Sequence, residues 1–92
     1  MRKFLITGST DGLGLQTAKL LAKSAPPVTC NSERRVIAIH GRNKTKIFNS
    51  LSNIKDYAHD NSKNFILQYF HYDLSEINAV KDFGDDVVEH FD

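Results

Sequence analysis

The sequence has one cysteine, no tryptophan and only two prolines among its 92 residues. A lone cysteine, Cys30, excludes an internal disulfide framework and a cysteine-rich metal site. Few prolines and 40% hydrophobic residues indicate a folded chain rather than a disordered one. No apolar run approaches the roughly 20 residues of a membrane-spanning helix, and none has the form of a secretory signal. We therefore expect one small domain, or part of one, in the cytoplasm.

Positive and negative charges are concentrated in opposite halves of the chain. Residues 1–46 hold nine Lys and Arg against two Asp and Glu, whereas residues 47–92 hold three against nine. Two explanations stay open: solvated helix faces, or a basic half that raises the local concentration of an anionic ligand. The basic residues are not interleaved with aromatic residues in a recognisable module, which argues against a nucleic-acid partner.

The most informative stretch is a glycine-rich turn at residues 7–14, with the sequence TGSTDGLG. It follows the apolar run at residues 4–6 and leads directly into a helical pattern of apolar residues. The N–H groups of a helix's first turn have no partner within the helix, and with the helix dipole they favour a phosphate group. This stretch therefore predicts an anion-binding site.

Each small residue of the turn has a predicted role. Gly8 permits a tight turn, Gly12 leaves no Cβ where a pyrophosphate would approach, and Gly14 allows close packing of the helix on the sheet. Ser9 and Thr10 add hydroxyl donors. The spacing G-x-x-x-G-x-G differs from the G-x-G-x-x-G of the standard dinucleotide fingerprint. An ordinary glycine-rich turn without a ligand is the alternative.

Residues 7–14 resemble the T-G-x-x-x-G-x-G cofactor motif of the classical short-chain dehydrogenases/reductases. The resemblance implies a Rossmann-type fold, a nicotinamide cofactor, and hydride transfer between that cofactor and an alcohol or carbonyl substrate. It also implies that the cofactor lies against the turn, whose candidate contacts are Gly8, Ser9, Thr10, Asp11, Gly12, Leu13 and Gly14.

A second candidate group follows the apolar run at residues 36–40. Arg42 and Asn43 come at its carboxyl end, where ligands bind in open α/β sheets. The Arg42 guanidinium suits a ribose 2′-phosphate and the adenine face, and an arginine here resembles the NADP-preferring branch of the family. Asp11 opposes that interpretation, because many such relatives carry a basic residue before the middle glycine. We expect NADP rather than NAD, with a surface arginine as the alternative.

A third candidate pair, Asp73 and Leu74, follows the aromatic-rich run at residues 65–70. It resembles the acidic and apolar pair that contacts the adenine in this family. Asp73 or Ser75 as a helix cap is an alternative that does not exclude the first.

Strand-like and helix-like patterns of apolar residues alternate along the chain, which predicts an α/β fold. We expect a partial Rossmann-type (doubly wound) fold with βαβαβα topology and three parallel strands in the order 3-2-1. Residues 59–62 form a polar break, and residues 26–35 are a long connection that we interpret as a surface insertion. The predicted strands cover residues 4–7, 36–40 and 65–70, and the predicted helices run from Gly12 or Leu13 to about Ser24, from Lys44 to Tyr57, and from Ile77 to Phe91.

We expect residues 1–92 to be the N-terminal half of an NAD(P)-binding Rossmann domain, with the fourth strand onward absent. The Asn-Asn-Ala-Gly, Ser and Tyr-x-x-x-Lys motifs of the family are missing: the fourth residues after Tyr57, Tyr69 and Tyr72 are Asn61, Asp73 and Glu76. No catalytic residue is assigned, and whether this chain is itself an enzyme stays open.

Two functions follow from these patterns. The first is the NADP(H)-binding segment of an oxidoreductase, with a small alcohol or carbonyl substrate only in a full-length form. The second is a non-catalytic nucleotide-binding or interaction module that acts as the short form. Because the expected fourth strand is absent, residues 4–6 would be an exposed apolar sheet edge, which favours self-association. The four histidines, which lack metal-ligand spacing and are predicted to be ordinary surface or strand-end residues, are His40, His59, His71 and His90.

Overall fold

A computed structural model describes residues 2–8, 10–28, 34–75 and 77–90 of the chain. Strands and helices alternate as the sequence predicts, and the boundaries lie within one residue of the expected ones wherever the structure describes them. The elements are β1 (Lys3–Ile6), α1 (Gly12–Lys23), β2 (Arg35–Gly41), α2 (Lys44–Tyr57), a 3₁₀ helix (His59–Asn64), β3 (Phe65–His71) and α3 (Ile77–His90). The predicted α/β class is confirmed.

The three strands form one parallel sheet in the order β1-β2-β3, which is the predicted 3-2-1 order. Phe4 lies opposite Ile37, and Ile37 lies opposite Leu67. β2 is the central strand and is buried over Val36 to Gly41, as expected of a parallel strand that helices cover on both faces. β1 lies at an edge of this sheet with its apolar residues half-buried. Self-association through that edge stays a prediction.

Alternate residues of β2 point into two separate cores, because successive strand side chains face opposite sides of a sheet. Ile37 and Ile39 pack with α1 and α2 in a cluster that includes Ala18, Ala22, Ile47 and Ile54. Val36 and Ala38 pack on the other face with Phe70 and with Phe83 of α3. The sheet therefore has helices on both faces, as a doubly wound fold requires.

The predicted polar break at residues 59–62 takes the form of the 3₁₀ helix, and Asn61 in it completes the end of α1. The Asn61 Nδ2 group donates to the carbonyl oxygens of Ala22 and Ala25, each at 2.8 Å. Carbonyl groups in a helix's last turn have no partner within the helix. Asn61 therefore adds, from a distant segment, donors to the carbonyl groups at the end of α1.

Part of the predicted insertion at residues 26–35, including Cys30, lies outside the described residues. The described residue Val28 donates its N–H to the Asn64 side chain at 3.3 Å, which ties the start of this connection to the 3₁₀ helix. Within the four described ranges, no helix is long and apolar enough to cross a membrane. The same ranges contain no group of three or more His, Cys, Asp or Glu that could hold a metal ion.

Candidate functional site

The segments that follow the three strands meet in one cleft of about 330 Å³. Its location is the expected one, since parallel strands end at a common edge of the sheet. Its lining comes from the glycine turn, from the end of β2 and from the connection after β3, and consists of Gly8, Thr10, Asp11, His40, Gly41, Arg42, Tyr72, Asp73, Leu74 and Ser75. The structure thus brings together the three groups of residues that the sequence predicts to share a site.

A larger groove of about 580 Å³ lies beside α2 and β3, away from the strand ends. Leu51, Phe65 and Tyr69 are among its lining residues. It contains none of the predicted site residues. The smaller cleft is therefore the better candidate, because the residues with ligand-binding chemistry converge there.

The glycine turn adopts the left-handed backbone conformation at two positions. The φ angles are +60° at Gly8 and +56° at Gly12, which side chains with a Cβ rarely adopt. A Cβ atom built at either position would meet nothing within 4 Å. Backbone conformation rather than crowding by the chain therefore selects glycine here, and the space beside both residues is open to a ligand. Ser9, a predicted contact, lies outside the described residues.

The first turns of α1 and α2 are capped differently. Asn43 precedes α2, and its side chain accepts a hydrogen bond from the Lys46 N–H at 3.1 Å. Asp11 precedes α1 and makes no side-chain cap hydrogen bond. Asn43, which the sequence also predicts as a cofactor contact, therefore already uses its side-chain oxygen within α2. At α1, the Asp11 side chain leaves the first-turn amides unoccupied.

Asp11 instead lies 3.9 Å from the Lys46 ammonium group, with both side chains largely exposed. The Lys46 ammonium group thus lies beside the Asp11 carboxylate, whose negative charge opposes the binding of a phosphate. After Asp11, Leu13 is 84% exposed at the start of α1, whereas Gly14 is half-buried. Gly12, Leu13 and Gly14 are outside the lining of the cleft, although they continue its glycine turn.

β2 and α2 hold the turn in place. The Gly8 N–H donates to His40 Nδ1 at 3.3 Å, and the buried Ser50 hydroxyl donates to the Thr10 carbonyl at 3.1 Å. Thr10 also packs closely on Gly41, where a Cβ atom would lie only 2.6 Å from the Thr10 Cγ2 methyl. The position of the turn thus depends on residues far from it in sequence.

His40 is a cleft residue that sequence analysis missed. It lies one residue before the end of β2, and it is 6% exposed rather than a surface residue. Its ring lies 4.8 Å from the Phe83 ring, and its Nε2 lies 2.8 Å from the Tyr72 carbonyl oxygen. The alternation of β2 is the signal that could have found it, because His40 shares a face with Ala38 and so points toward α3.

Asp73 and Arg42 are close enough for their charges to interact. The pKa of Asp73 is lowered by hydrogen bonds from the Ser75 side chain and backbone and, to a smaller extent, by the Arg42 charge. The Ser75 N–H lies 3.0 Å from Asp73 Oδ1, an arrangement typical of an Asx turn. Asp73 therefore stabilises the connection before α3 and faces the same cleft as Arg42. Leu74 packs against the core on the α3 side of the sheet.

The Tyr72 side chain links the connection after β3 to α3 by a hydrogen bond. Its hydroxyl group donates to Asp86 Oδ2 at 2.7 Å. That hydrogen bond is the main cause of a raised pKa of Tyr72, with burial and the negative charges of Asp86 and Asp82 acting in the same direction. The arrangement keeps the Tyr72 carbonyl beside His40.

Comparison with known proteins relates the fold to solved enzymes. No protein-family model and no curated protein matches the sequence. The bulky-bulky ketone specific alcohol dehydrogenase from Comamonas testosteroni matches with a TM-score of 0.71 at 15% identity, over 99% of this chain and 31% of that one. A short-chain type dehydrogenase/reductase from Mycobacterium ulcerans matches with a TM-score of 0.70 at 19% identity, over 97% of this chain and 28% of that one.

The citronellol catabolism dehydrogenase from Pseudomonas aeruginosa PAO1 matches with a TM-score of 0.64 at 20% identity, over 96% of this chain and 31% of that one. The chain therefore spans about a third or less of the length of these neighbours. Identities this low relate the folds alone. At that level the chain has the partial Rossmann-like fold found in short-chain dehydrogenases/reductases.

Proposed function

We propose that the cleft binds a nicotinamide dinucleotide, and that residues 1–92 are the N-terminal cofactor-binding part of an oxidoreductase of the short-chain dehydrogenase/reductase type. The observation that carries the proposal is the convergence of the glycine turn, Arg42, and the pair Asp73 and Leu74 on one cleft at the strand ends. Known Rossmann-type folds bind dinucleotides at this end of the sheet. The dehydrogenases among the structural neighbours support the same class of ligand.

The pyrophosphate is proposed to lie at the N-terminus of α1. First-turn amides and the helix dipole attract an anion there, and the Asp11 side chain does not occupy those amides. The positive φ angle and open surroundings of Gly12 support a close approach of the phosphates. Gly8, Ser9, Thr10, Leu13 and Gly14 complete the proposed contact segment.

NADP is the proposed cofactor, with NAD as the less favoured alternative. Arg42 is exposed at the end of β2 and lines the cleft, so its guanidinium is available to a ribose 2′-phosphate. Asp73 lies near enough to offset part of that charge. Lys46 partly offsets the opposing charge of Asp11. We therefore expect a preference of about tenfold for NADPH over NADH, the lower end of the range for a hydrogen bond to a charged group.

The bound cofactor would supply hydride transfer, and this chain's own residues bind and orient it. Asp73 and Leu74 are proposed to border the adenine, and Asn43 to stand beside the ribose. The sequence has no Tyr-x-x-x-Lys, so none of its residues is assigned to proton transfer. Reaction with an alcohol or carbonyl substrate belongs to the full-length form that the proposal implies.

Calorimetric titration of NADPH and NADH into the wild-type chain and Arg42→Ala tests the cofactor preference. We expect Arg42→Ala to lose about tenfold in NADPH affinity while NADH affinity changes little, because only NADPH carries the 2′-phosphate. Lys55→Ala on α2 is the matched control, since it removes the same charge at a residue outside the cleft. Equal binding of both cofactors by the wild-type chain, with Arg42→Ala silent, would refute the role of Arg42.

A second substitution, Gly12→Val, tests the phosphate position. We expect it to abolish binding of both cofactors, because a side chain would occupy the space beside the α1 amides. Valine at a φ of +56° also strains the backbone, so folding is checked by circular dichroism. Gly84→Val is the control, because it makes the same glycine-to-valine change in α3, at a position where an added Cβ meets nothing within 4 Å. A folded Gly12→Val chain that still binds would place the phosphates elsewhere.

A further inference from the structure

The groove beside α2 and β3 has one charged end and one apolar end. The charged end comes from Arg34, immediately before β2, and from Lys55 in the last turn of α2. Because α2 leads from the end of β2 back to the start of β3, its last turn lies near the start of both strands. The apolar end lies further along the strands and is lined by Leu51 of α2 and by Leu67 and Tyr69 of β3. The groove therefore suits an elongated molecule with one polar end.

Arg34 is the residue of the groove that most needs a partner. Its side chain is half-buried and its Nε atom is fully buried, yet Nε has no hydrogen-bond partner among the residues that the structure describes. Burial of a charged donor without an acceptor is unfavourable, and buried polar groups in folded proteins are generally paired. A planar guanidinium binds a carboxylate through two parallel N–H groups. The Arg34 Nε–H is available as one of those two donors.

The charges around Arg34 favour an anion with a single charge. Lys55 adds a second cation to the charged end of the groove, and Asp56 next to it adds one carboxylate. His59 also lines the groove, but its ring is largely exposed and lies 3.5 Å from the Asp60 carboxylate. Two permanent cations against one groove carboxylate leave an excess of one positive charge. That excess suits a carboxylate better than a doubly charged phosphate.

The size and lining of the groove fit a small molecule. Its volume of about 580 Å³ lies within the range of about 300–1,000 Å³ that is typical of ligand sites. From Phe65 to Tyr69, β3 rises by about 13 Å along the groove. Tyr69 at the far end is 41% exposed, and its ring is held by an edge contact with Phe48 at a centroid distance of 5.3 Å. An apolar chain or ring of a ligand can therefore cover this exposed aromatic surface.

We propose that this groove binds a small amphipathic carboxylate, with the carboxylate on the Arg34 guanidinium and the apolar part against Leu51, Leu67 and Tyr69. The unpartnered cation selects this ligand over a neutral apolar molecule, and the apolar lining selects it over an inorganic anion. The groove shares no lining residue with the dinucleotide cleft. The inference is therefore independent of the proposed function.

Titration of the 92-residue chain with phenylpropionate, followed by the backbone amide signals in NMR, tests the proposal. We expect saturable shifts at Leu51, Leu67 and Tyr69 at the millimolar concentrations typical of a ligand of about ten non-hydrogen atoms. The amides of Gly8 and Gly12 should not shift. Phenylpropanol, which lacks the charge, and acetate, which lacks the apolar part, should each bind at least about tenfold more weakly.

Three results of this titration would overturn the proposal. The first is the absence of saturable shifts with phenylpropionate. The second is a set of shifts centred on the glycine turn, which would place the carboxylate in the dinucleotide cleft. The third is equal binding of phenylpropanol, which would show that the cation at Arg34 does not select the ligand.

Arg34→Gln tests the contact that carries the proposal. We expect it to weaken phenylpropionate binding by about tenfold or more while phenylpropanol binding changes little, because only the carboxylate pairs with the guanidinium. Arg2→Gln is the matched control, since it makes the same change at an exposed arginine outside the groove. Unchanged phenylpropionate binding in Arg34→Gln would overturn the inference.

Urea denaturation of the ligand-free Arg34→Gln chain separates binding from a structural role. Because the buried Nε atom of Arg34 has no hydrogen-bond partner within the described part of the chain, we expect the free energy of unfolding not to fall. A purely structural role of Arg34 would lower it. A clear loss of stability in the ligand-free variant would therefore contradict the assignment of Arg34 to a ligand.

Tyr69→Ala tests the apolar end of the groove. It should weaken the binding of phenylpropionate and phenylpropanol alike, by about threefold or more, because both lose apolar contact. Tyr57→Ala removes a ring of similar exposure, 43% against 41%, outside the groove, and should leave both affinities unchanged. Wild-type affinity in Tyr69→Ala would refute the placement of the apolar part of the ligand.

Discussion

Substituting Gly41 with alanine tests how tightly the glycine turn packs on β2. Gly41 is buried and is not one of the glycines with a positive φ angle, so alanine can adopt its backbone conformation. The new Cβ would lie 2.6 Å from Thr10 Cγ2 and 3.1 Å from Ile47 Cγ1. Ordinary carbon contacts are about 3.5–4.0 Å. The glycine turn or α2 must therefore move to admit a single methyl group.

The expected cost follows from two opposing effects. Overpacking of a well-packed site costs typically about 1–3 kcal/mol. Replacing glycine by alanine also restricts the unfolded chain, which stabilises the folded state by about 0.4–1 kcal/mol. We therefore expect Gly41→Ala to lower the free energy of unfolding by roughly 1–2 kcal/mol. Dinucleotide affinity should fall as well, because Thr10 belongs to the turn that is displaced.

Urea denaturation followed by circular dichroism measures the change. Gly84→Ala is the matched control, since a Cβ at this helical position meets nothing within 4 Å, and it should stabilise the chain by about 0.5–1 kcal/mol. Adding Thr10→Ser to Gly41→Ala removes the Cγ2 methyl and should restore part of the loss, because Ile47 still crowds the site. A Gly41→Ala chain as stable as wild type would refute the close packing of the turn on β2.

Four further outcomes follow from the contacts described above. Asn61→Ala should lower the free energy of unfolding in urea by about 1–3 kcal/mol, because the carbonyls that Asn61 contacts at the end of α1 each lose one donor. An unchanged midpoint would contradict this role of Asn61. Ser50→Ala should lower the free energy of unfolding by about 1 kcal/mol, because the Thr10 carbonyl loses the hydroxyl donor. An unchanged free energy of unfolding would show that the glycine turn does not need the Ser50 hydroxyl. Asp86→Asn should lower the pKa of Tyr72 toward its ordinary value in an NMR titration, since the carboxylate that raises it is gone. Asp73 has a lowered pKa in the folded chain, so its ionised carboxylate stabilises the fold above the pKa of the unfolded state, and this stabilisation is lost as the pH falls through the folded pKa. Asp73→Asn should therefore make the free energy of unfolding depend less on pH in the acid range. An unchanged dependence would refute the stabilising role of the Asp73 carboxylate.

Much of the fold was predictable because its signals are local. The spacing of apolar residues in α2 predicts a helix from Lys44 to Tyr57, and the structure has those bounds. The β-branched apolar run at residues 36–40 predicts a strand, and β2 covers it. Convergence of residues from the three strand ends was also predictable, since parallel strands end at one edge of the sheet.

The contacts that hold the site were not predictable from the same signals. His40 lies 32 residues from Gly8 in sequence, and Ser50 lies 40 residues from Thr10. Their partners are backbone groups, which every residue carries, so no sequence pattern marks the pairs. The packing of Thr10 on Gly41 likewise depends on how β1 and β2 are paired.

The sequence by itself determined where the helices and strands form and which glycines can adopt a positive φ angle, because periodicity, capping and backbone conformation act over a few neighbouring residues. Only the tertiary structure decided that His40 holds Gly8, that Asn61 caps α1 and that Asp73 stands near Arg42. Those contacts require distant segments to meet within hydrogen-bonding or Coulombic range. Strand register and the packing of helices on both faces of the sheet set these distances.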